Sequence, residues 1–308
     1  MKIVYLDAST LGDTPMDEIS SLGQFVTYPT STRQESLERV GDCDVLMVNK
    51  VVVDDELMSR APKLKLVCES ATGVNNIDLE AAKRRGIIVR NVAGYSTDAV
   101  VQATFTHLLS LIGYSDYFDN YVKSGRYSAC GMFTDVSHPF IELAGRTMGI
   151  IGMGTIGSKV ASVASAFGMK VVYYSTSGTS HCSQYPSLPL EELLSCSDVV
   201  SIHAPLNERT NGLLKEAELK LMKSSAILIN MGRGGIVDES DLAAAVDEGT
   251  IAGAALDVFV QEPLPYDHPL LNVKHKERLH LSPHSAWASR ESLLRLVSMV
   301  ADNIRKGW

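Results

Sequence analysis

Apolar and polar residues fall along this chain in blocks of two kinds. Short, continuous apolar runs occur near residues 3–6, 25–28, 45–48, 64–68 and 87–90, and again near 149–151, 170–174, 199–203, 226–230, 254–257 and 279–281. Continuous apolar character over so short a span predicts strands buried on both faces. Between the runs lie stretches with helical spacing, such as 35–39, 79–85 and 159–167. That exchange predicts an α/β fold of doubly wound parallel sheets. A longer helical stretch, 97 to about 123, separates the two sets of strands, and a last helix runs from 289 to about 305.

Two sets of strands in 308 residues predict two domains. The last helix follows the final strand of the second set. If it crosses back to pack on the first set, the first domain is discontinuous. The expected division is 1–98 plus 285–308 for one domain and 99–284 for the other. Two crossings would leave a hinged cleft, suited to closing over a small ligand.

Composition narrows the partners. The formal charge of -8 argues against nucleic acid or an anionic membrane surface. An anionic substrate would need a local cation. The five cysteines are odd in number, scattered and without C-x-x-C spacing, which predicts a reducing, cytoplasmic setting and no structural metal.

The most informative segment is Met148-Gly-Ile-Ile-Gly-Met-Gly-Thr-Ile-Gly-Ser158. A strand-like run feeds Gly152-x-Gly154-x-x-Gly157, and a helical pattern follows. In that context Gly152 permits the tight turn, Gly154 lets a pyrophosphate approach the backbone, and Gly157 lets helix and strand pack closely. The helix N-terminus, with Thr155 and Ile156, then offers free N–H groups to phosphate.

Ligands of open parallel sheets bind beyond the carboxyl ends of the strands, so polar residues directly after a strand are site candidates. Three sets follow the last three runs: Met231-Gly-Arg233, then Asp257 with Glu262 shortly beyond, then Pro283-His284. An arginine, a carboxylate and a histidine are thus expected at one edge. Taken singly, Arg233 fits a surface turn, Glu262 a turn cap and His284 a buried structural histidine. Co-location is what favours chemistry. His107, His181, His268, His275 and His280 are read as structural.

With those residues in place, the chain resembles the D-2-hydroxyacid dehydrogenase family over essentially its full length. The resemblance is carried by Ala71-Thr-Gly-Val-Asn-Asn-Ile-Asp-Leu79, the glycine segment, Ser201-Ile-His-Ala-Pro-Leu206, Asn230-Met-Gly-Arg-Gly-Gly-Ile-Val-Asp-Glu239, Ala254-Ala-Leu-Asp-Val-Phe259 with Glu262-Pro263, and Pro283-His284. Asn49-Lys50, Tyr95-Ser-Thr-Asp98 and Ala286-Trp-Ala-Ser289 are most similar to the glycerate dehydrogenase (hydroxypyruvate reductase) branch. Val100-Val101-Gln102 departs mildly from the family's usual Val-Ala-Glu or Val-Ala-Gln.

The resemblance implies a Rossmann dinucleotide-binding domain inserted in a flavodoxin-like substrate domain, and hydride transfer between a nicotinamide cofactor and a 2-keto acid, hydroxypyruvate or glyoxylate. It implies that Arg233 grips the substrate carboxylate, His284 is the acid/base and Glu262 orients it. Lys50 and the Thr72-Gly73-Val74 turn are implied on the substrate side. Ser175, His203, Ala204, Pro205, Met231 and Asp257 are implied as cofactor contacts, Asp257 toward the nicotinamide amide. Alternatives are a D-3-phosphoglycerate dehydrogenase, which would need extra cations in the first domain, and a non-catalytic NADH-sensing protein. A homodimer is implied through 97–123, which carries Phe105, Leu108, Leu109, Leu111, Ile112, Tyr114, Tyr117 and Tyr121; burial of that helix between domains is the plainer account.

The cofactor is expected to be NAD(H) with relaxed specificity. No carboxylate follows the run 170–174 to bind a ribose 2′-hydroxyl, and no arginine or lysine stands there for a 2′-phosphate. His181 is the nearest cation in sequence.

Overall fold

A computed structural model describes residues 1–179 and 182–308. The chain divides into two compact units, Met1–Ser96 with Ala288–Trp308, and Thr97–Trp287. The crossings therefore lie two residues before and three residues after the positions that periodicity suggested.

The first unit holds five parallel strands, β1 (Lys2–Tyr5), β2 (Gln24–Thr27), β3 (Val45–Val48), β4 (Leu66–Glu69) and β5 (Ile88–Arg90), in the order β2-β1-β3-β4-β5. That is the flavodoxin-like order. β3 and β4 are buried along their whole length, β3 as an unbroken apolar run and β4 with one carboxylate, Glu69, at its end. Side-chain caps at Thr32, Asp54 and Asp78 start the helices Arg33–Arg39, Asp55–Ser59 and Leu79–Arg84 by accepting an N–H of the first turn. The closing helix, Arg290–Arg305, is capped by Ser289 and buries Leu296, Val297, Val300 and Ile304 in this unit, so the first sheet is completed by the end of the chain.

The second unit holds six parallel strands: β6 (Thr147–Ile151), β7 (Lys170–Tyr174), β8 (Val199–Ile202), β9 (Ile227–Asn230), β10 (Gly253–Leu256) and β11 (Leu279–Leu281). Their order is β11-β10-β9-β8-β6-β7. From β6 the chain moves outward to β7 and then returns to β8 on the other side of β6. The topological switch point is therefore at the carboxyl end of β6, where the glycine segment begins. Two apolar layers sandwich this sheet, one around Leu193, Leu228 and Leu256 and the other around Leu108, Ile150 and Ile229. No helix among the described residues is long and apolar enough to cross a membrane.

The stretch expected as one helix over 97–123 is two, Thr97–Gly113 and Ser115–Lys123, broken at Tyr114 with φ of 50°. Gly113 weakens the helix just there, and one left-handed residue redirects the chain without changing the apolar spacing on either side. Phe105, Leu108, Leu111 and Ile112 are buried in the second unit's own core. The cover found for these four is thus the second unit's own core and not the burial between domains that was expected. Leu109 and Val122 are exposed in these helices, and further exposed apolar residues follow at Met132, Phe133, Val136 and Phe140.

Candidate active site

Strand register sets the site. Asn230 pairs with Leu256, and Leu256 with Leu281, so β9, β10 and β11 end level. The residues that follow, Met231, Asp257 and Ser282, form one row along the carboxyl edge. Ser282 Oγ donates to Asp257 Oδ1 at 2.6 Å across that row.

The glycine segment is built for a ligand. Gly152 has φ of 95°, and a Cβ there would meet Ala204 N at 2.8 Å; a Cβ on Gly157 would meet Gly152 O at 2.2 Å. Both positions are closed by protein. Gly154 differs: a Cβ would find nothing within 4 Å, so its space is open to a bound group. The helix Thr155–Ala166 begins there without a side-chain cap, leaving its first N–H groups for an anion. The cradle fits a dinucleotide pyrophosphate. Ala204 packs under it, and a Cβ on Gly232 would lie 2.9 Å from Ala204 O, which ties the Met231 and Arg233 loop to the same floor. Pro205 and Ser175 stand at the ends of β8 and β7, in line with this edge. The His203 ring is held at Nε2 by Ser201 Oγ at 2.8 Å, and burial pushes its pKa down to about 3, so it is a neutral group.

The loops that carry the catalytic candidates are joined by a different route, while the Arg233 side chain itself donates from Nη1 to Gly232 O at 2.8 Å. Asn230 reaches forward: its Nδ2 donates to Arg233 O at 2.9 Å and its Oδ1 accepts from Gly232 N at 3.0 Å, fixing the loop that carries Arg233. That loop lies directly on the segment after β10, because a Cβ on Gly234 would sit 2.0 Å from Phe259 C and O. From that segment Glu262 Oε1 accepts from Phe259 N at 3.0 Å, and Oε2 accepts from His284 Nδ1 at 2.8 Å. An ionised carboxylate can only accept, so Nδ1 carries the proton and Nε2 is left for exchange. His284 is held in the left-handed region, φ of 51°. Its loop is pinned by Ser285 N and Ala286 N donating to Asp257 Oδ1 and Oδ2, at 2.8 and 2.9 Å, and by Trp287 Nε1 donating to His284 O at 2.7 Å. A histidine kept in a sparsely populated conformation by that many bonds is a mark of function rather than of packing.

A family model described as "D-isomer specific 2-hydroxyacid dehydrogenase, NAD binding domain" matches residues 105–286. The chain belongs to that family. It is 43% identical over 261 residues to a glyoxylate reductase of Aeropyrum pernix, covering 82% of this chain and 76% of that one. It is 36% identical to a glycerate dehydrogenase of Methylorubrum extorquens, covering 98% and 95%. Among solved structures, a D-lactate dehydrogenase of Aquifex aeolicus, complexed with NAD and lactic acid, superposes with a TM-score of 0.85 at 27% identity over 99% of this chain and 94% of that one.

In this family member the first unit's candidates keep to their own edge. The turn Thr72, Gly73 and Val74 follows β4, and none of its three N–H groups finds an acceptor among the described residues. Exposed Lys50 sits on a loop that Asp7 organises: buried beyond the end of β1, Asp7 accepts from Asn49 N, Lys50 N and Val51 N. The rule that found Arg233 would also have found Asp7, which directly follows an apolar run.

Other contributors gave weaker signals. Asp257, expected to face the cofactor, is 2% exposed, and its visible work is to anchor the His284 loop. His268, read as a lone structural histidine, pairs with buried Glu239 at 2.9 Å, while Glu239 accepts from Val260 N at 2.7 Å. The pair braces the segment that carries Glu262. His107 Nε2 lies 3.2 Å from Ser282 Oγ, whose own proton is committed to Asp257, so His107 is the donor. His181 lies outside the described residues.

Proposed function

We propose that the protein reduces a small 2-keto acid, hydroxypyruvate or glyoxylate, to the D-2-hydroxy acid. The observation that carries this reading is the His284–Glu262 pair at 2.8 Å, set on the same sheet edge as the glycine turn. The names of the two relatives above support the substrate class.

A bound nicotinamide dinucleotide supplies a hydride to C2 of the keto acid. As the C2 carbonyl oxygen gains charge, His284 donates its Nε2 proton to it, and the ring recovers a proton from solvent. Glu262 holds Nδ1–H throughout, which fixes the ring with Nε2 free for the transfer. Arg233 takes the substrate carboxylate through its planar fork, and Asn230 keeps the arginine's loop from drifting. In the oxidative direction neutral Nε2 accepts the hydroxyl proton. Within the first unit, the Thr72–Gly73–Val74 turn and Lys50 are the groups suited to an anion.

We also infer a homodimer, with the apolar residues exposed over 132–140 as its proposed contact. All five cysteines are unpaired, which supports a reducing, cytoplasmic setting. The test of the function is a crossed panel of glyoxylate, hydroxypyruvate, pyruvate and phosphohydroxypyruvate against NADH and NADPH. The reading requires highest efficiency with one of the first two; preference for the phosphorylated acid would transfer it to the phosphoglycerate branch, and absence of turnover would leave a sensor.

A further inference from the structure

The turn after β7, residues 175–178, lies where an open sheet of this kind places the adenosine ribose of a dinucleotide, and in sequence it carries no charge of either sign. The fold changes that. Arg209, from the loop after β8, reaches across to this turn. Its Nη1 donates to Ser177 O at 2.6 Å, and a Cβ on Gly178 would lie 3.1 Å from the same nitrogen. The guanidinium therefore rests on the very turn that faces the ribose.

Three features make it a site rather than a passing contact. The base of the arginine is fixed: Arg209 N donates to Asn207 Oδ1 at 2.9 Å, and buried Thr210 closes the loop by donating to Pro205 O at 2.7 Å. Among the described residues Arg209 makes no ion pair, and the side chain is exposed, so its charge is not already neutralised. One of its five N–H donors is used at Ser177, which leaves the rest of the fork to a second acceptor. The hydroxyls of Ser175 and Ser177 both donate to Thr179 O, at 2.6 and 3.1 Å, so the charge for a phosphate comes from Arg209, and residues 175–178 hold no carboxylate to repel it.

We propose that Arg209 reads the 2′-phosphate of NADP(H), and that the protein prefers NADP(H) to NAD(H). This rests on the dinucleotide reading of the glycine turn and replaces the expectation of NAD(H). A rigid guanidinium with one nitrogen engaged presents its remaining donors to a dianion, and such charge-assisted bonds are about twice as strong as neutral ones. A ribose 2′-hydroxyl gains much less from the same group.

The experiment is calorimetric and kinetic, on the full chain and on Arg209→Ala and Arg209→Lys, with melting curves to confirm the fold. Titration with 2′,5′-ADP and with 5′-AMP reads the phosphate directly, without turnover. Wild type is expected to bind 2′,5′-ADP about tenfold or more tighter than 5′-AMP, and to use NADPH with a similar advantage over NADH. Arg209→Ala collapses both ratios toward one, and Arg209→Lys restores part of them because the charge returns without the fork. Ratios that are unchanged in Arg209→Ala, or a wild type that favours NADH, overturn the assignment while leaving the dinucleotide site standing. Failure of every adenine ligand and both cofactors to bind overturns the dinucleotide reading and this assignment with it.

Discussion

Replacing Gly234 by alanine probes the contact on which the catalytic geometry depends. The new Cβ would start 2.0 Å from Phe259 C and O and 2.5 Å from Val260 N, whereas ordinary contact begins at 3.4 Å. Relief requires a separation of 3.4 less 2.0, or 1.4 Å, between the Arg233 loop and the segment after β10. That segment cannot retreat freely. Phe259 N is tied to Glu262 at 3.0 Å and Val260 N to buried Glu239 at 2.7 Å, so the displacement passes into the Glu262–His284 bond. A misplacement of about 1 Å can cost roughly a hundredfold in rate. The expected result is a loss of about that size in kcat for keto acid reduction, with a stability loss of about 1–3 kcal/mol from overpacking. Cofactor affinity, measured by quenching of protein fluorescence, should change little, because the glycine turn is not touched. A folded Gly234→Ala enzyme with wild-type kcat would refute the coupling between the two loops.

Gly154→Ala should behave in the opposite way. Nothing lies within 4 Å of the added methyl and the backbone φ is -81°, so the melting temperature should hold, while cofactor affinity falls by about tenfold or more as the methyl enters the pyrophosphate space. Equal affinity in the two proteins would remove Gly154 from the cradle. Glu69→Gln addresses the first unit: burial, with a contribution from Asp7, raises the Glu69 pKa from 4.5 to about 8. The folded state therefore holds a proton that the unfolded state gives up near pH 4.5. This group costs wild-type stability as pH rises through that window, at up to about 1.4 kcal/mol per pH unit. The variant should match wild type near pH 4 and exceed it at pH 8 in urea midpoint; a difference that does not vary with pH would contradict this. Charging the exposed patch, as in Phe133→Asp, should halve the particle mass seen by light scattering, and an unchanged mass would exclude that surface as the dimer contact.

Much of the molecule is legible in its sequence because parallel strands buried on both faces have to be largely apolar: β3 is so throughout, and β4, β8 and β9 carry one polar residue each, Glu69, Ser201 and Asn230. The same regularity makes strand ends visible, and with them Arg233, Asp257 and His284. What stays hidden depends on contacts between distant segments or on single residues. Tyr114 breaks a helix without disturbing its periodicity. Asp7 serves a loop 42 residues later, and Arg209 donates to a carbonyl 32 residues earlier. The pairing of His268 with Glu239 turns an apparently idle histidine into a brace, and nothing in the spacing of the two announces it. Local pattern sees propensity and burial; it does not see which loops the sheet order brings side by side.

In the proposed reaction the His284 imidazole, oriented by Glu262, supplies the proton that completes hydride transfer. Single-turnover reduction of glyoxylate by pre-bound NADPH or NADH, followed by loss of nicotinamide absorbance in a stopped-flow instrument, compares wild type with His284→Ala. A general acid of this kind is worth about 10²–10⁴ in rate, so the variant should slow by that factor while its affinity for the cofactor is retained. Hydride transfer at the wild-type rate in the variant would contradict the account.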